Sequence, residues 1–356
     1  MPWDADPQVS SPFGRPIAEL LEPRARRQQL DGFEPLYSDI VDYILRCTHR
    51  IWEEKNIGLC RTHYAEDCPV FTLGGFSAGV DAVIDNTVAA IAGSPDRSPI
   101  AEDVIWSEDT PGTFLSSHRI VSFATHLGHD AIGGAASGAH TGVRVIADCL
   151  CRENLIVDEW LVRDNLQLAR MLGVDPLALA RRQAAADREG DPARHGWLAA
   201  ERARVRDTPS IEPPGDHPAA PIAAALDRAF NHDLYGEAAA IVWPAIEALW
   251  PSGRRTYGPA GWIGLLLQLR APLRDPCFRL EHYAARPLPD GDIAVALRWS
   301  LAGRHGGIGV WGLPGARELL ILAISHYRLR AGHIVEDITV FDELAVLRQI
   351  EGGLGA

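Results

Sequence analysis

An acid-rich strand pattern occurs twice in this chain of 356 residues. Residues 150–165 read LCRENLIVDEWLVRDN, and residues 329–343 read LRAGHIVEDITVFDE. In both segments turn residues precede an Ile-Val pair, two acidic residues and an apolar run that ends in an acid. Ile156 and Ile334, which begin the two Ile-Val pairs, are 178 residues apart, and this is half the chain. The spacing therefore predicts the duplication of a whole domain.

The predicted secondary structure follows the same order in both halves. Apolar residues at helical spacing predict two principal helices in each half, over 39–55, 79–93, 221–231 and 257–272. Alternating segments predict long strands near 101–107, 113–125, 142–152 and 155–164, and again near 277–285, 292–303, 317–330 and 333–341. Helices that precede a meander of strands are typical of an α+β domain.

Composition limits the class of protein and its partners. The chain is 47% hydrophobic and 23% charged, which is typical of globular domains. We expect a cytoplasmic protein without a membrane partner, because no apolar run approaches the ~20 residues of a membrane helix and the N-terminus lacks a secretory signal. The net charge of −13 predicts no nucleic-acid partner. The six cysteines form no CxxC pair, so neither a zinc site nor a disulfide framework is predicted.

A change in composition over 176–218 separates the two halves. It begins with a helix rich in Ala, Arg and Glu and ends in DTPSIEPPGDHPAAP, whose prolines prevent a continued helix. The predicted organisation is an N-terminal arm over 1–36, a first domain over 37–185, a helical and Pro-rich linker over 186–219 and a second domain over 220–350.

With this order of elements and the IVDEWLVRDN ending, the chain resembles a tandem of two SnoaL-like domains of the nuclear transport factor two-like superfamily, which includes polyketide cyclases and ketosteroid isomerases. The segments that carry the resemblance are RIWEEKNIG, HYAEDCPVF, EDVIWSED, SSHRI and HTG in the first half, and LRWSLAGRHGG, SHYRLRAGHIVED and FDELAVLRQI in the second. The resemblance implies two cone-shaped α+β domains, each a bent antiparallel sheet around about three helices with a pocket at its open end. It also implies an intramolecular pseudo-dimer, with further homo-oligomerisation left open.

The resemblance implies acid/base chemistry without a cofactor, in which a carboxylate on a pocket-lining strand acts as the base. Asp148 is the main candidate, and we expect it on the pocket side because Ile146 and Leu150 flank it on its own strand face. A buried acid there is either held in a structural ion pair or raised in pKa and available for proton transfer. His326 occupies the equivalent position in the second half, and His118 in SSHRI is a further catalytic candidate or else a satisfied core histidine.

Other polar and aromatic residues are candidates for contacts with a small-molecule ligand, or else for core packing and structural ion pairs. On the closing strand of the first half, Trp160 and Glu159 lie on opposite faces. The candidate substrate-binding residues are Tyr64, Trp106, His126, Trp160, Glu159, His282, His305 and Glu336. No metal is predicted at His126 and His129, since their spacing would place both on one side only in a helix.

The predicted function is therefore a cofactor-free cyclase or isomerase of SnoaL-like type, acting on a small apolar or oxygenated molecule. Two alternatives stay open: a non-catalytic small-molecule-binding or scaffold protein, and a hydrolase or dehydratase on the same fold. More of the polar strand residues of the family are present in the first half, so we expect the first domain to be the working one and the second to be a structural copy.

Overall fold

The computed structural model describes residue 12, residues 16–190 and residues 196–354. The chain divides into two compact units. The first extends to Asp175, and the second comprises Pro176 onward together with the short segments Leu73–Gly75 and Asp164–Leu166. Each unit has the α+β architecture that the resemblance implied, with helices before a six-stranded sheet.

The first half of the chain contains five α-helices and six strands within the described residues. In chain order these are α1 (Ile17–Leu20), α2 (Ile40–Trp52), α3 (Cys60–His63), β1 (Pro69–Thr72), β2 (Gly75–Ala78), α4 (Val80–Gly93), β3 (Ser98–Thr110), β4 (Thr113–Thr125), β5 (His140–Arg152), β6 (Leu155–Arg163) and α5 (Asn165–Met171). The strand order in the sheet is β2-β1-β6-β5-β4-β3. The long strands β3 to β6 form the predicted antiparallel meander, but β1 pairs with β6 in parallel. The prediction of an antiparallel sheet is thus wrong for this pair, because a chain that crosses over through helices adds its strand in parallel.

The second half repeats this arrangement. Its elements are α6 (Pro176–Glu189), α7 (Gly196–Asp207), α8 (Ala219–His232), α9 (Tyr235–Ala238), β7 (Val242–Trp250), β8 (Arg254–Tyr257), α10 (Gly258–Arg270), β9 (Leu273–Pro287), β10 (Ile293–His305), β11 (Glu318–Arg330), β12 (His333–Phe341) and α11 (Glu343–Ile350). The strand order is β8-β7-β12-β11-β10-β9, again with one parallel pair, between β7 and β12. The second sheet therefore has the topology of the first.

Strand register confirms the duplication residue by residue. Cys149 of β5 pairs with Glu159 of β6, and Tyr327 of β11 pairs with Asp337 of β12. The members of these two pairs differ by the same 178 residues as the two Ile-Val motifs. A position in one sheet can therefore be compared directly with its equivalent in the other.

Helix α2 defines which face of the first sheet is internal. The helix begins after Asp39, whose carboxylate accepts a hydrogen bond from the Asp42 N–H at 2.9 Å. Its buried stripe packs in one cluster with sheet residues of β3, β4 and β5, and these are Trp106, Phe114, Cys149 and Cys151. We call the side of the sheet that carries these residues the helix-facing face.

Aromatic contacts define the corresponding face in the second unit. Phe230 of α8 lies 6.0 Å from Phe278 of β9 and 5.9 Å from Trp299 of β10, measured between ring centroids. The helix-facing face of the second sheet is therefore the one that carries Phe278 and Trp299.

The predicted arm and linker fall partly outside the described residues, at 1–11, 13–15 and 191–195. The described part of the arm contributes Leu20, Leu30 and Phe33 to the core cluster of the first unit, and α6 and α7 belong to the second unit. The domain boundaries, the pseudo-dimer and any further homo-oligomer stay predictions. No helix among the described residues has the length and apolar character needed to cross a membrane.

Candidate functional site

Strand alternation decides which predicted residues face the helices of the first unit. Cys149 belongs to the cluster around α2, and its neighbours in the adjacent strands are Ser116 and Glu159. Because side chains directly opposite each other in paired strands share one face, Ser116 and Glu159 also lie on the helix-facing face. Asp148 directly precedes Cys149 in the strand and therefore lies on the opposite face.

The prediction that Asp148 faces the pocket side is therefore wrong. Asp148 is only 1% exposed, as expected, but its strand neighbours Ser117 and Trp160 share the opposite face with it. Trp160 stacks on Phe71 there, with ring centroids 5.4 Å apart. The alternation in the sequence defines two faces of a strand but does not show which of them is internal. The helices decide this by packing on one face, and here they pack on the face that carries Cys149 and Cys151.

Three candidates of the second unit also lie opposite its helix-facing face. His326 alternates with Ser325, whose hydroxyl accepts a hydrogen bond from Trp299. His282 pairs with Arg298, the residue before Trp299, and Glu336 pairs with Arg328, two residues beyond His326 on the same face. None of the three therefore lies on the face that packs against α8.

Glu159 is the predicted residue best placed for chemistry. It is 8% exposed, and burial raises the pKa of its carboxyl group, while Arg163 and a hydrogen bond from the Tyr64 hydroxyl act in the opposite direction. Tyr64 follows the last turn of α3 and forms a β-bridge with Ile156, which brings its ring to this side of β6. The two residues thus form a buried carboxylate–phenol pair.

Thiols surround this pair. Burial raises the pKa of Cys149, Cys47 and Cys60, the last to about 11, and the charge of Glu159 adds to the effect at each of them. These cysteines are therefore neutral near neutral pH and are weak nucleophiles. Neutral thiols are only weakly polar, so the surroundings of the Glu159 carboxylate have low polarity.

His118 is a second polar group on the helix-facing face. It is 3% exposed, and burial lowers its pKa to about 4, although the charge of Asp103 partly offsets this effect. Its Nε2 atom has no hydrogen-bond partner among the described residues. His118 pairs with Ala147, which pairs with Leu161, so standard strand spacing places the Cα atoms of His118 and Glu159 roughly 12 Å apart. Near neutral pH this imidazole is uncharged.

Several apolar side chains next to Glu159 and His118 are accessible to solvent. On the helix-facing face of β5 and β6, Val145, Ala147 and Leu161 are only half-buried. On α4, Ile84 is half-buried and Val88 is 47% exposed. The interior of the first unit is therefore incompletely filled on the side where Glu159 and His118 lie. Trp106, by contrast, packs edge-on against Phe114 and is part of the core.

The same positions in the second unit are filled. The equivalents of Val145, Ala147 and Leu161 are Ala323, Ser325 and Thr339, and all three are buried. Asp337 takes the place of Glu159 and is 0% exposed. It accepts hydrogen bonds from Trp250 Nε1 at 3.1 Å, Trp262 Nε1 at 2.8 Å and Thr339 Oγ1 at 2.7 Å.

This network continues through the core of the second unit. The hydroxyl groups of Thr339 and Ser325 are 2.7 Å apart, and Ser325 Oγ accepts from Trp299 Nε1 at 2.9 Å. Burial raises the pKa of Asp337 to about 6, although its three donors oppose that effect. Asp337 was not among the predicted site residues, even though the 178-residue offset from Glu159 points to it.

His126 and His305 occupy equivalent positions in the two units, and each contacts the loop that follows its strand. His126 Nδ1 lies 3.0 Å from Ser137 Oγ, and its Nε2 lies 3.5 Å from the Asp130 carboxylate. His305 Nδ1 accepts the Gly315 N–H at 3.2 Å. Each histidine thus ties the end of a long strand to the loop that follows it. Across residues 16–190 and 196–354, no group of three or more His, Cys, Asp or Glu side chains is arranged to hold a metal ion.

No protein-family model matches this chain, and no curated protein matches it. Among solved structures, a candidate polyketide cyclase from Streptomyces antibioticus, IdmH, is 19% identical over 38% of this chain and 98% of its own, with a TM-score of 0.33. A candidate polyketide cyclase from Acidithiobacillus ferrooxidans is 18% identical over 40% of this chain and 99% of its own, with a TM-score of 0.33. A candidate SnoaL-like polyketide cyclase from Jannaschia sp. CCS1 is 16% identical over 37% of this chain and 92% of its own, with a TM-score of 0.31. Each likeness covers less than half of this chain.

Proposed function

We propose that the first unit transfers a proton on a small, largely apolar molecule, with Glu159 as the acid/base group. The observation that carries this proposal is a carboxylate of raised pKa on the helix-facing face, next to apolar side chains that solvent still reaches. A desolvated carboxylate is a stronger base than one in water, and burial is a common way of tuning such a group. We therefore assign the role of the base to Glu159 and not to Asp148.

The chemistry follows from the groups around Glu159. Its carboxylate removes a proton from a carbon next to a carbonyl, and the electron pair moves to the carbonyl oxygen to form an enolate. The neutral imidazole of His118 supplies a hydrogen-bond group toward the oxygen that gains charge. Return of the proton at another carbon completes an isomerisation. Alternatively, the enolate carbon attacks a second carbonyl carbon of the same molecule and closes a ring, and the proton passes from Glu159 to the oxygen of that carbonyl, which restores the carboxylate. No cofactor is needed for either outcome.

A generic probe tests the base without knowledge of the natural substrate. The probe is 5-nitrobenzisoxazole, a flat apolar molecule from which a base removes the C3–H proton of the isoxazole ring while the N–O bond breaks to give a coloured cyanophenolate. We expect the full chain to accelerate this reaction and Glu159→Gln to reduce the rate by at least about 100-fold, which is typical of the loss of a general base. The rate should rise with pH through a midpoint above the ordinary value for a glutamate, because only the ionised carboxylate acts as the base.

The matched control is Asp158→Asn, which changes a carboxylate to an amide at the residue that directly precedes Glu159, in the same strand but on the opposite face. It should leave the rate within about twofold of the wild-type value, well inside the effect expected for a general base. A wild-type rate equal to that of Glu159→Gln would reject the acid/base proposal and would favour the binding-protein alternative. An equal loss in both variants would instead indicate a general change in the structure of β6.

A further inference from the structure

Two arginine side chains lie at the same end of the helix-facing face of the first unit. Arg163 ends β6 on the same face as Glu159, four residues further along the strand. Arg97 immediately precedes β3, and its Nη1 donates a hydrogen bond to Ser122 Oγ of β4 at 3.0 Å. Ser122 shares the helix-facing face with His118, four residues before it. Both guanidinium groups therefore stand beyond Glu159 and His118 on one side of the interior.

The two charges act on each other. Burial lowers the pKa of Arg97, and the neighbouring charge of Arg163 lowers it further. The acids that favour the charged form, Asp130 and Asp96, already accept local hydrogen bonds, Asp130 from the Ile132 and Gly133 amides and Asp96 from Thr125. Arg97 Nε makes no hydrogen bond to any residue that the structure describes. Two neighbouring positive charges and the unpaired donor Arg97 Nε together favour the binding of an anion.

Spacing along β6 relates this arginine pair to the proposed base. Four residues of an extended strand span about 13 Å, and Leu161 lies between Glu159 and Arg163 on the same face. Val145 and Ala147 continue the apolar surface onto β5. In the second unit the equivalent of Arg163 is the buried Phe341, so the positive charge is specific to the unit that is incompletely filled.

We propose that the ligand of the first unit is an amphipathic carboxylate, with its anionic end at Arg97 and Arg163 and its apolar body along Val145, Ala147 and Leu161. This inference rests on the proposed function and adds to it the substrate class. The reacting carbon then lies at the opposite end of the molecule, near Glu159. A single carboxylate suits the pair, since a guanidinium binds it through two parallel hydrogen bonds.

Two probes of matched size test the charge preference, and these are 1-naphthaleneacetate and its neutral amide, 1-naphthaleneacetamide. We expect the full chain to bind the acetate about tenfold more tightly than the amide, as measured by isothermal titration calorimetry near neutral pH. Arg163→Gln should weaken acetate binding until the two probes differ by no more than about twofold, with little change for the amide. Arg97→Gln should act in the same direction.

Arg61→Gln is the matched control, because Arg61 is an exposed residue of the same unit whose guanidinium pairs with Asp81 at 2.8 Å. It should retain the acetate preference, and thermal unfolding verifies that each variant is folded. Since Arg97 is half-buried, the exposed Arg163 provides a test that does not depend on the folding of Arg97→Gln. Equal binding of the two probes by the wild type, or equal losses in Arg163→Gln and Arg61→Gln, would overturn the inference.

The outcome is separable from that of the acid/base proposal. The benzisoxazole probe carries no carboxylate, so Glu159-dependent turnover without an acetate preference rejects only the ligand class. An acetate preference without Glu159-dependent turnover rejects the catalytic role and leaves a carboxylate-binding protein. A third readout links the two sites: because Arg163 lowers the pKa of Glu159, Arg163→Gln should move the midpoint of the pH–rate profile upward.

Discussion

Glu159 and Asp337 occupy the same place in two copies of one fold, yet their surroundings differ in kind. Glu159 receives a hydrogen bond from Tyr64 beside half-buried apolar side chains. Asp337 is fully enclosed and accepts from two indole N–H groups and one hydroxyl. Burial raises the pKa of both groups. The comparison teaches that a raised pKa alone does not identify a reactive carboxylate, because a saturated and enclosed one has no access to a ligand.

The residues around the two acids account for this difference. In the second unit Trp299, Trp262 and Trp250 fill the interior, and their N–H groups require acceptors, which Asp337 and Ser325 supply. In the first unit the position equivalent to Leu297 is His118, and the position equivalent to Phe341 is Arg163. At these two positions, polar residues of the first unit thus replace large apolar residues of the second.

The largest expected effect breaks the network around Asp337. Asp337→Ala leaves the buried N–H groups of Trp250 and Trp262 without an acceptor, while the Thr339 hydroxyl keeps Ser325 as a partner. Each unpaired donor costs about 1–3 kcal/mol, so we expect a loss of about 2–6 kcal/mol in the free energy of unfolding. Glu159→Ala removes a desolvated carboxylate with fewer partners and should cost about 1 kcal/mol or less. Urea denaturation measures both variants, and hydrogen exchange assigns the Asp337→Ala loss to β7, β11 and β12. Similar losses in both variants would contradict the distinction between the two acids.

A second comparison adds volume at equivalent positions. Ser325→Leu overfills an enclosed core and removes the acceptor of Trp299, so it should destabilise the chain by about 2–4 kcal/mol. Ala147→Leu enlarges a half-buried side chain and should change stability by less than about 1 kcal/mol while weakening probe binding in the first unit. Thermal unfolding and calorimetric titration test the two effects. Strong destabilisation by Ala147→Leu would show that the first interior is as tightly filled as the second.

The pH dependence of stability provides a smaller effect. Burial raises the pKa of Glu159 above its unfolded value, so the folded state favours the protonated form and loses stability as pH rises through this range. Glu159→Gln carries no charge and avoids that loss. We expect the variant to be more stable than the wild type near neutral pH, by about 1 kcal/mol, with the difference disappearing below about pH 4. Unfolding midpoints across this pH range measure it, and a pH-independent difference would exclude the titration of Glu159 as its cause.

The smallest expected effect concerns Tyr64. Its hydroxyl lowers the pKa of Glu159 by hydrogen bonding, so Tyr64→Phe should shift the midpoint of the pH–rate profile upward. The unfolding free energy should change by less than about 1 kcal/mol, because the ring is retained and only one hydrogen bond is lost. Tyr257→Phe, at an exposed residue of the second unit, is the control and should leave the profile unchanged. An unchanged profile in Tyr64→Phe would remove the phenol from the site.

Much of the fold follows from patterns of spacing in the sequence. The segment predicted as a helix over 39–55 forms α2, and the strands predicted at 113–125 and 333–341 have those limits in the structure. Strand β7 was missed because Pro244 interrupts its pattern, although Pro244 lies near the strand end, where its lack of an N–H is tolerated. The alternation of buried Ile246, Ala248 and Trp250 was the signal that could have revealed it.

The candidate site was predicted less well than the fold. Glu159, Tyr64 and His118 were among the predicted residues and lie on the helix-facing side, whereas Asp148 and Trp160 lie on the other. Arg97 was missed, because it lies in a connecting segment and reaches Ser122 only through the folded chain. Short-range patterns do not report contacts between residues that are distant in sequence.

The sequence by itself determined the duplication, the order of the elements and the two alternating residue sets of each strand, because these depend on local spacing along the chain. The tertiary structure alone decided which set faces the helices, since a period of two is the same for both faces until a helix packs on one of them. It also decided that Asp337 is enclosed while the surroundings of Glu159 remain accessible, because this depends on the combined volume of side chains brought together from several elements. Repeat spacing thus pairs the two acids, and packing separates their roles.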